Sequence, residues 1–211
     1  LISDWSPNSL SGLALWLDAS DNSTIVKSSN LISHWNDKSS NQNNAFQNTQ
    51  ALKPSFVENS INGLSSIKFS NHKFQFAPID FAGKSVFVTF ITDLISDDDQ
   101  QILSHSVINV QFRINRTSGN GHFGYAAAEP AYYPPTVSLS IQAQKTSIVA
   151  LIFAENLEVR VNGISQILGA KKTSGSTVYN QIGARETSDD YLKGSIAEII
   201  VFDDANSFQK I

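Results

Sequence analysis

The 211-residue chain contains no cysteine, which excludes disulfide bridges, thiolate metal sites and cysteine nucleophiles. A chain of this length buries roughly 70% of its unfolded surface and folds without disulfides. The missing cysteines therefore do not identify the redox compartment. Charged residues are also scarce, at 16% of the chain against roughly 25% in an average soluble domain. The polarity of the chain comes mainly from serine, asparagine, glutamine and threonine.

A basic surface is missing as well, because 15 lysines and arginines stand against 19 aspartates and glutamates, for a formal net charge of −4. Nucleic-acid binding depends on positive charge, so nucleic acid is disfavoured as a partner. No apolar run approaches the ~18 residues of a membrane span, so we expect no membrane insertion. Methionine and a signal-peptide pattern are also absent, from which we expect a module excised from a larger multidomain protein.

What the chain does contain is a succession of short β-type segments separated by turn residues. Apolar residues alternate with polar ones or form short runs, and no stretch keeps a 3.6-residue period for three turns, so the pattern predicts an all-β protein. We expect strands at 13–18, 66–69, 85–92, 108–114, 147–153, 157–161, 178–183 and 195–202, with shorter ones around Phe46, Phe56, Phe74, Leu103, Phe123 and Val137.

Two segments indicate how these strands are arranged. Residues 84–92 are apolar at both parities, as in a central strand buried on both faces. Asn162-Gly163 is a strong hairpin signal, because both residues tolerate positive φ, so the chain from Ile164 should run back antiparallel. Residues 39–50, rich in Asn, Gln and Ser, are interpreted as a long surface loop.

So many strands fit a two-sheet antiparallel β-sandwich, a jelly roll of about a dozen strands, better than one open sheet. No composition shift or linker divides the chain. We therefore expect residues 1–211 to form a single domain.

Three segments carry a resemblance to a known family. The first runs through residues 12–20 (GLALWLDAS) and 34–41 (HWNDKSSN), the second is 157–163 (LEVRVNG), and the third joins 182–185 (IGAR) to 192–202 (LKGSIAEIIVF). In order and spacing they resemble the concanavalin A-like superfamily of laminin G-like (LamG-like) jelly-roll domains, over almost the whole chain. The resemblance implies a two-sheet jelly roll that serves carbohydrate or protein recognition, or only structure. Fold alone does not imply function.

Catalysis by this fold requires two carboxylates aimed at one glycosidic bond. On a single strand such a pair stands at i and i+2 or i+4, and the Glu-x-Asp-x-x-Glu pattern of the related glucanases is absent. Glu198 has only apolar neighbours on its strand face, and Glu158 shares its face with Arg160. We therefore predict that the chain is not an enzyme.

Acidic pairs and triplets in the turns are the only metal candidates. Calcium binds six to eight oxygen ligands, and consecutive side chains cannot all point inward. Turn capping is the ordinary explanation, so no metal or other cofactor is expected, although a calcium ion held at a loop rim stays open. The weak candidates are Asp97, Asp99, Asp189 and Asp190.

Sugar-binding modules use aromatic faces together with amide, carboxylate and guanidinium groups. Tyr132 and Tyr133, flanked by prolines, form a stiff loop that loses little entropy on binding, unless one tyrosine folds under the loop as a lid on the core. Arg113 and Arg185 could donate bidentate hydrogen bonds, although each could equally be a charge at a strand edge. Asn36 is a further candidate for hydrogen bonds to a sugar, and its neighbour Trp35 is interpreted as a core residue.

The sequence thus predicts a non-catalytic recognition module that binds glycan or another surface ligand, in an adhesin or fibre protein. Its expected location is extracellular, at a cell surface or on a virion. The alternative is a structural domain that assembles as a homo-oligomer through its parent protein, as in a fibre tip. Exposed aromatics in a groove favour binding, and a patch above about 1,000 Å² between subunits favours assembly.

Overall fold

The computed structural model describes residues 6–95, 99–106, 110–117, 120–126, 139–170, 177–185 and 190–205. These residues form seventeen β-strands and three 3₁₀ helices of three residues each. The prediction of an all-β protein is confirmed, with more strands than the expected dozen. None of the helices in these ranges has the length and apolar character needed to cross a membrane.

The strands and helices have the following bounds. The strands are β1 Leu13–Asp18, β2 Ile25–Ser28, β3 Leu31–Trp35, β4 Ala45–Phe46, β5 Ser55–Ile61, β6 Leu64–Phe69, β7 Phe74–Asp80, β8 Ser85–Thr92, β9 Gln100–Ser104, β10 Gln111–Thr117, β11 Asn120–Ala126, β12 Ser140–Ile141, β13 Thr146–Phe153, β14 Asn156–Val161, β15 Ile164–Ala170, β16 Val178–Ile182 and β17 Gly194–Phe202. The 3₁₀ helices are Pro7–Ser9, Asn22–Thr24 and Gln50–Leu52.

Antiparallel pairing connects these strands in two runs. One run has the order β15-β14-β13-β8-β17-β1. The other has the order β12-β11-β10-β9-β16-β7-β4-β3-β2. The β5–β6 hairpin joins the two runs, because β6 pairs with β17 and β5 pairs with β3. The result is one large, curled antiparallel sheet with a continuous hydrophobic core.

Strand β8 is central, as its two apolar faces predict. It pairs with β13 along one edge and β17 along the other. Val88 and Phe90 are at most 1% exposed in the main core. On the opposite face Phe87 packs edge to face on Phe202, 6.4 Å between ring centroids. One face of β8 is therefore fully buried in the core, whereas Phe87, Thr89 and Ile91 on the other face are only partly buried, so the predicted burial of both faces holds for one face alone.

Two hairpins turn through Asn-Gly pairs. Asn162 and Gly163 have φ of 50° and 85° between β14 and β15, which confirms the predicted hairpin. Asn62 and Gly63 have φ of 51° and 79° between β5 and β6. This second hairpin was not predicted, although its Asn-Gly pair carries the same signal.

The expected surface loop at residues 39–50 is wrong in part. The segment contains β4, which confirms the short strand expected around Phe46, and the start of a 3₁₀ helix, and Ser39 is buried. The side-chain amides of Asn41 and Asn43 donate to the carbonyl oxygen of Ala14 at 3.1 and 3.2 Å. These amides satisfy a β1 backbone group, so the polar composition of the segment serves packing against β1.

Strands β2 and β3 were not predicted, because the chain around 27–30 is polar and exposed and gives no period-2 signal. The strand expected around Val137 lies outside the described residues.

Candidate functional site

The first candidate site is a polar cluster on β9, β10 and β16, which we call the Gln–Arg cluster. Gln101, Gln111 and Gln181 are each at most 1% exposed. In the strand register, Ser104 stands between Gln111 and Gln181 as the partner of both, and Gln101 is paired with Arg113. Antiparallel register therefore gathers four neutral polar side chains and a guanidinium on adjoining strands.

Two of the predicted binding residues meet around Gln101. Arg113 contacts Asp99 at 3.0 Å and donates to Gln111. Arg185 contacts Asp190 at 3.3 Å, and the carbonyl oxygen of Asp190 accepts from the backbone N–H of Gln101 at 3.2 Å. Gln101 is thus the register partner of Arg113 and is linked through Asp190 to Arg185, which follows β16.

Polar atoms in the Gln–Arg cluster retain unused hydrogen-bonding capacity. The side-chain carbonyl oxygens of Gln101 and Gln181 and the Nε of Arg113 are buried and have no hydrogen-bond partner within the described part of the chain. Buried polar atoms are rarely left unpaired, so these atoms mark positions for ordered water, whereas the partly exposed guanidinium groups of Arg113 and Arg185 are open to a ligand. The cluster offers both acceptors and a donor, as a sugar hydroxyl requires.

The other predicted residues lie elsewhere. Asn36 follows β3, donates its backbone N–H to the Thr24 carbonyl oxygen at 2.8 Å, and belongs to neither candidate site. Trp35, its neighbour, is fully buried, which confirms it as a core residue. Tyr132 and Tyr133 lie outside the described residues.

The acidic turns are accounted for in part. Asp97 and Asp189 lie outside the described residues, whereas Asp99 and Asp190 each contact an arginine. Within the ranges that the structure describes, no group of three or more His, Asp or Glu side chains is arranged for a metal ion.

The second candidate site is a cavity of about 150 Å³, which we call the Asp18–Glu198 pocket. Its floor is made by β1, β8 and β17, and the tip of the β5–β6 hairpin forms a wall. It combines carboxylates, hydroxyls and an amide with an aliphatic surface. The lining residues are Asp18, Ser20, Ile61, Asn62, Leu64, Ser65, Thr89, Ala197 and Glu198.

Strand register explains how the two carboxylates meet. Asp18 on β1 is the direct partner of Glu198 on β17, and Glu198 is the partner of Thr89 on β8. Directly opposed residues have Cβ atoms about 4.5–5.5 Å apart. Glu198 is the only acid on its own strand face, as the sequence indicated, but its acidic neighbour comes from another strand. No spacing within one strand could have revealed that pair.

A small charge network surrounds the pocket. The indole N–H of Trp16 donates to Glu198 Oε1 at 2.8 Å. The ammonium of Lys38 bridges Asp18 and Asp21, at 2.9 Å from each, and lies 3.9 Å from the centroid of the Trp16 ring. Trp16 is thereby fixed between a carboxyl and an ammonium group, and at 7% exposure it is buried.

The network shifts three ionisation equilibria. Burial raises the pKa of Glu198, and the charge of Asp18 raises it further, against the opposing effects of Trp16 and Lys38. Hydrogen bonds from Ser23 and Lys38 lower the pKa of Asp21. Burial alone would lower the pKa of Lys38, but its bonds to Asp18 and Asp21 raise it overall. The surroundings of Glu198 thus disfavour the charged form of its carboxyl group.

Asp37 holds β1 in place beside the pocket. One carboxylate oxygen accepts from the backbone N–H groups of Trp16 and Ser39, both at 2.8 Å. The other accepts from the Ser39 hydroxyl at 2.7 Å and the Asn43 backbone N–H at 2.9 Å. Asp37 thus caps the turn that follows it, and the bond to Trp16 adds a connection to β1.

Comparison with known proteins identifies the fold. No protein-family model matches the sequence, and no curated protein matches it. Domain 4 of AbnA, an extracellular arabinanase from Geobacillus stearothermophilus solved with arabinotriose, is similar at a TM-score of 0.67 and 12% identity, over 90% of this chain and 92% of that domain.

Two larger proteins contain a similar domain. The sialidase of Trypanosoma rangeli, in complex with sialic acid, has a TM-score of 0.58 and 12% identity over 92% of this chain and 31% of its own. The enzymatically active domain of tailspike protein 2 from bacteriophage CBA120 has a TM-score of 0.51 and 12% identity over 70% of this chain and 27% of its own. This chain spans about a third or less of each.

These likenesses agree with a concanavalin A-like fold, while membership of the LamG-like family is not confirmed by any family model. They also contradict the prediction that the chain is not an enzyme. The similar structures come from an arabinanase, a sialidase and an enzymatically active tailspike domain. That prediction rested on acids within single strands and overlooked the pair that Asp18 and Glu198 form across two strands.

Proposed function

We propose that this chain is a carbohydrate-binding domain of an extracellular protein and that it holds glycan at the Gln–Arg cluster. The observation that carries the proposal is the pair of partly exposed guanidinium groups, Arg113 and Arg185, beside buried glutamines whose hydrogen bonding is incomplete. Sugars offer hydroxyl groups that both donate and accept, and they suit such a mixed set of donors and acceptors. The likeness to an arabinanase domain solved with arabinotriose supports a glycan as the ligand.

The finer features of the proposal come from the sequence. Tyr132 and Tyr133, which lie outside the described residues, would supply aromatic faces for the glycan, and Arg113 and Arg185 would donate hydrogen bonds to it. The chain would be one jelly-roll domain of two layered sheets, to which the two runs of paired strands correspond. Its parent would be a surface protein, an adhesin or a fibre, exposed outside the cell or on a virion.

A glycan array of the purified chain, with and without calcium, tests this function. Selective binding should fall at least ten-fold in Arg185→Ala and in the double variant Tyr132→Ala, Tyr133→Ala, with little change in melting temperature. Arg160→Ala is the matched control, because Arg160 is similarly exposed and also ion-paired. Absence of glycan binding, with a stable oligomer by light scattering, would refute the proposal in favour of an assembly domain.

A second candidate function is glycoside hydrolysis, and one observation favours it. Asp18 and Glu198 face each other across β1 and β17 and line one pocket, and hydrolysis of this kind uses a pair of carboxyl groups. Glu198, whose pKa is raised by burial, would protonate the leaving oxygen, and Asp18 would act from the same pocket. Release of reducing ends that Glu198→Gln abolishes would support this function, and release that persists in the variant would refute it.

A further inference from the structure

The Asp18–Glu198 pocket is separate from the proposed glycan site. Its walls come from β1, β8, β17 and the β5–β6 hairpin, and none of the residues of the Gln–Arg cluster lines it. Its volume of about 150 Å³ is smaller than the roughly 300–1,000 Å³ usual for small-molecule sites. It therefore suits one terminal group or one sugar unit of a longer ligand.

Charge around the pocket is unbalanced. Asp18, Asp21 and Glu198 contribute three carboxylates, and Lys38 contributes one ammonium, which leaves two negative charges in excess. Lys38 contacts both aspartates at 2.9 Å, so among the described residues the indole N–H of Trp16 is the one close donor to the Glu198 carboxyl. None of the described lysines and arginines lines the pocket.

The remaining lining groups match one kind of ligand. An ammonium group has three N–H donors and no acceptor, so it requires several oxygen acceptors around one point. Glu198 and Thr89 are register partners in the floor, and Asn62 and Ser65 stand in the wall. The aliphatic side chains of Ile61 and Leu64 provide surface for the C–H groups that carry the ammonium.

We propose that the Asp18–Glu198 pocket binds a primary ammonium group carried by a sugar, as in a glucosamine unit, with Glu198 as its counter-ion. This rests on the proposed carbohydrate-binding function in that the ammonium is part of a glycan. An anionic sugar would meet the excess negative charge and be rejected, whereas a positive group supplies the missing charge.

Binding and ionisation of Glu198 must be coupled. A cation beside Glu198 stabilises its charged form, so the ligand lowers the pKa of that carboxyl, and protonation of Glu198 weakens binding by the same factor. The other charged groups facing Glu198 are Asp18 and, through it, Lys38 and Asp21. Affinity for the ammonium should therefore fall as the pH drops through the raised pKa of Glu198.

Three β-1,4-linked tetrasaccharides provide a matched test, because they differ only at carbon 2. They are the tetramers of glucosamine, N-acetylglucosamine and glucose, titrated into the full chain by calorimetry at pH 6.5. The glucosamine tetramer should bind at least ten-fold more tightly than the other two. Glu198→Gln keeps the shape of the side chain and an acceptor for Trp16, and it should remove that preference.

Non-specific attraction is controlled by Glu58→Gln. Glu58 is exposed on β5 and does not line the pocket, yet its substitution removes the same single negative charge, and it should leave the preference intact. Asn62→Gly is a second test, because glycine accepts the positive φ of Asn62. It should weaken glucosamine binding several-fold without changing the melting temperature.

Equal affinity for the three tetramers, or a preference that survives Glu198→Gln, would overturn this inference. If array glycans still bind in a manner that depends on Arg185, the proposed function would stand without it. Loss of all glycan binding would remove both.

Discussion

At the scale of single residues, Asp37 illustrates how one carboxylate organises a chain that has few charges. It accepts four hydrogen bonds, three of them from backbone N–H groups. Asp37→Ala would leave these donors without their acceptor, so we expect a loss of about 2–4 kcal/mol in the free energy of unfolding, measured in urea. Asp203→Ala, which breaks an exposed ion pair with Lys84, should cost at most about 1 kcal/mol. Similar losses in the two variants would contradict this role of Asp37.

Glu198 predicts a second residue-scale effect, on the pH dependence of stability. Its pKa is raised above the ordinary value of 4.5, so the folded chain holds this proton more tightly than the unfolded chain. The resulting stabilisation is present below pH 4.5 and is lost as the pH rises through the folded pKa. Relative to wild type, Glu198→Gln should therefore gain stability as the pH rises.

Urea denaturation between about pH 4 and pH 8 measures this difference, with Glu58→Gln as the exposed control. The curve for the control relative to wild type should be flat or nearly so. A Glu198→Gln difference that is constant or falls with pH would show that burial does not disfavour the charged form of Glu198.

At the scale of strands and turns, two glycines allow the cost of a positive φ to be measured apart from the cost of steric overlap. Gly63 and Gly183 have φ of 79° and 83°. A Cβ at Gly63 would meet nothing within 4 Å, whereas a Cβ at Gly183 would lie 2.4 Å from Cδ1 of the buried Phe69 ring. Gly63→Ala should thus cost about 1 kcal/mol from φ alone, and Gly183→Ala about 3 kcal/mol, because overpacking adds to it.

Thermal and urea unfolding of the two alanine variants measure these costs. Equal losses would mean that Phe69 moves aside without penalty and that positive φ accounts for the whole effect at both turns.

Local signals predicted the elements well, and they failed where structure depends on neighbouring strands. The limits of β1 and β8 follow from their apolar residues, and the Asn162-Gly163 turn follows from its tolerance of positive φ. Strands β2 and β3 were not predicted because each is short and the polar residues 27–30 lie between their apolar ends, and the pairing of β3 depends on β4 and β5. The Asp18–Glu198 pair escaped for the same reason, since 180 residues separate its members and only the register of β1 on β17 unites them.

At the scale of the whole molecule, the extended sheet ends in an edge that must resist association. Among the described residues, β15 pairs only with β14, and its Ile164 and Ile167 are each 65% exposed. An exposed edge with apolar side chains is a template for pairing with a second chain. Ile167 is the register partner of Glu158, so a lysine introduced at this position would stand opposite a carboxylate.

Ile167→Lys should therefore slow aggregation several-fold, followed by light scattering near the melting temperature, while changing the free energy of unfolding by no more than about 0.5 kcal/mol. Ile148→Lys is the matched control. Ile148 is 54% exposed, but β13 is paired on both sides, by β8 and β14. If only Ile167→Lys slows aggregation, the chains associate through the open edge of β15. Equal protection by both variants would mean that exposed apolar area, rather than an open edge, drives it.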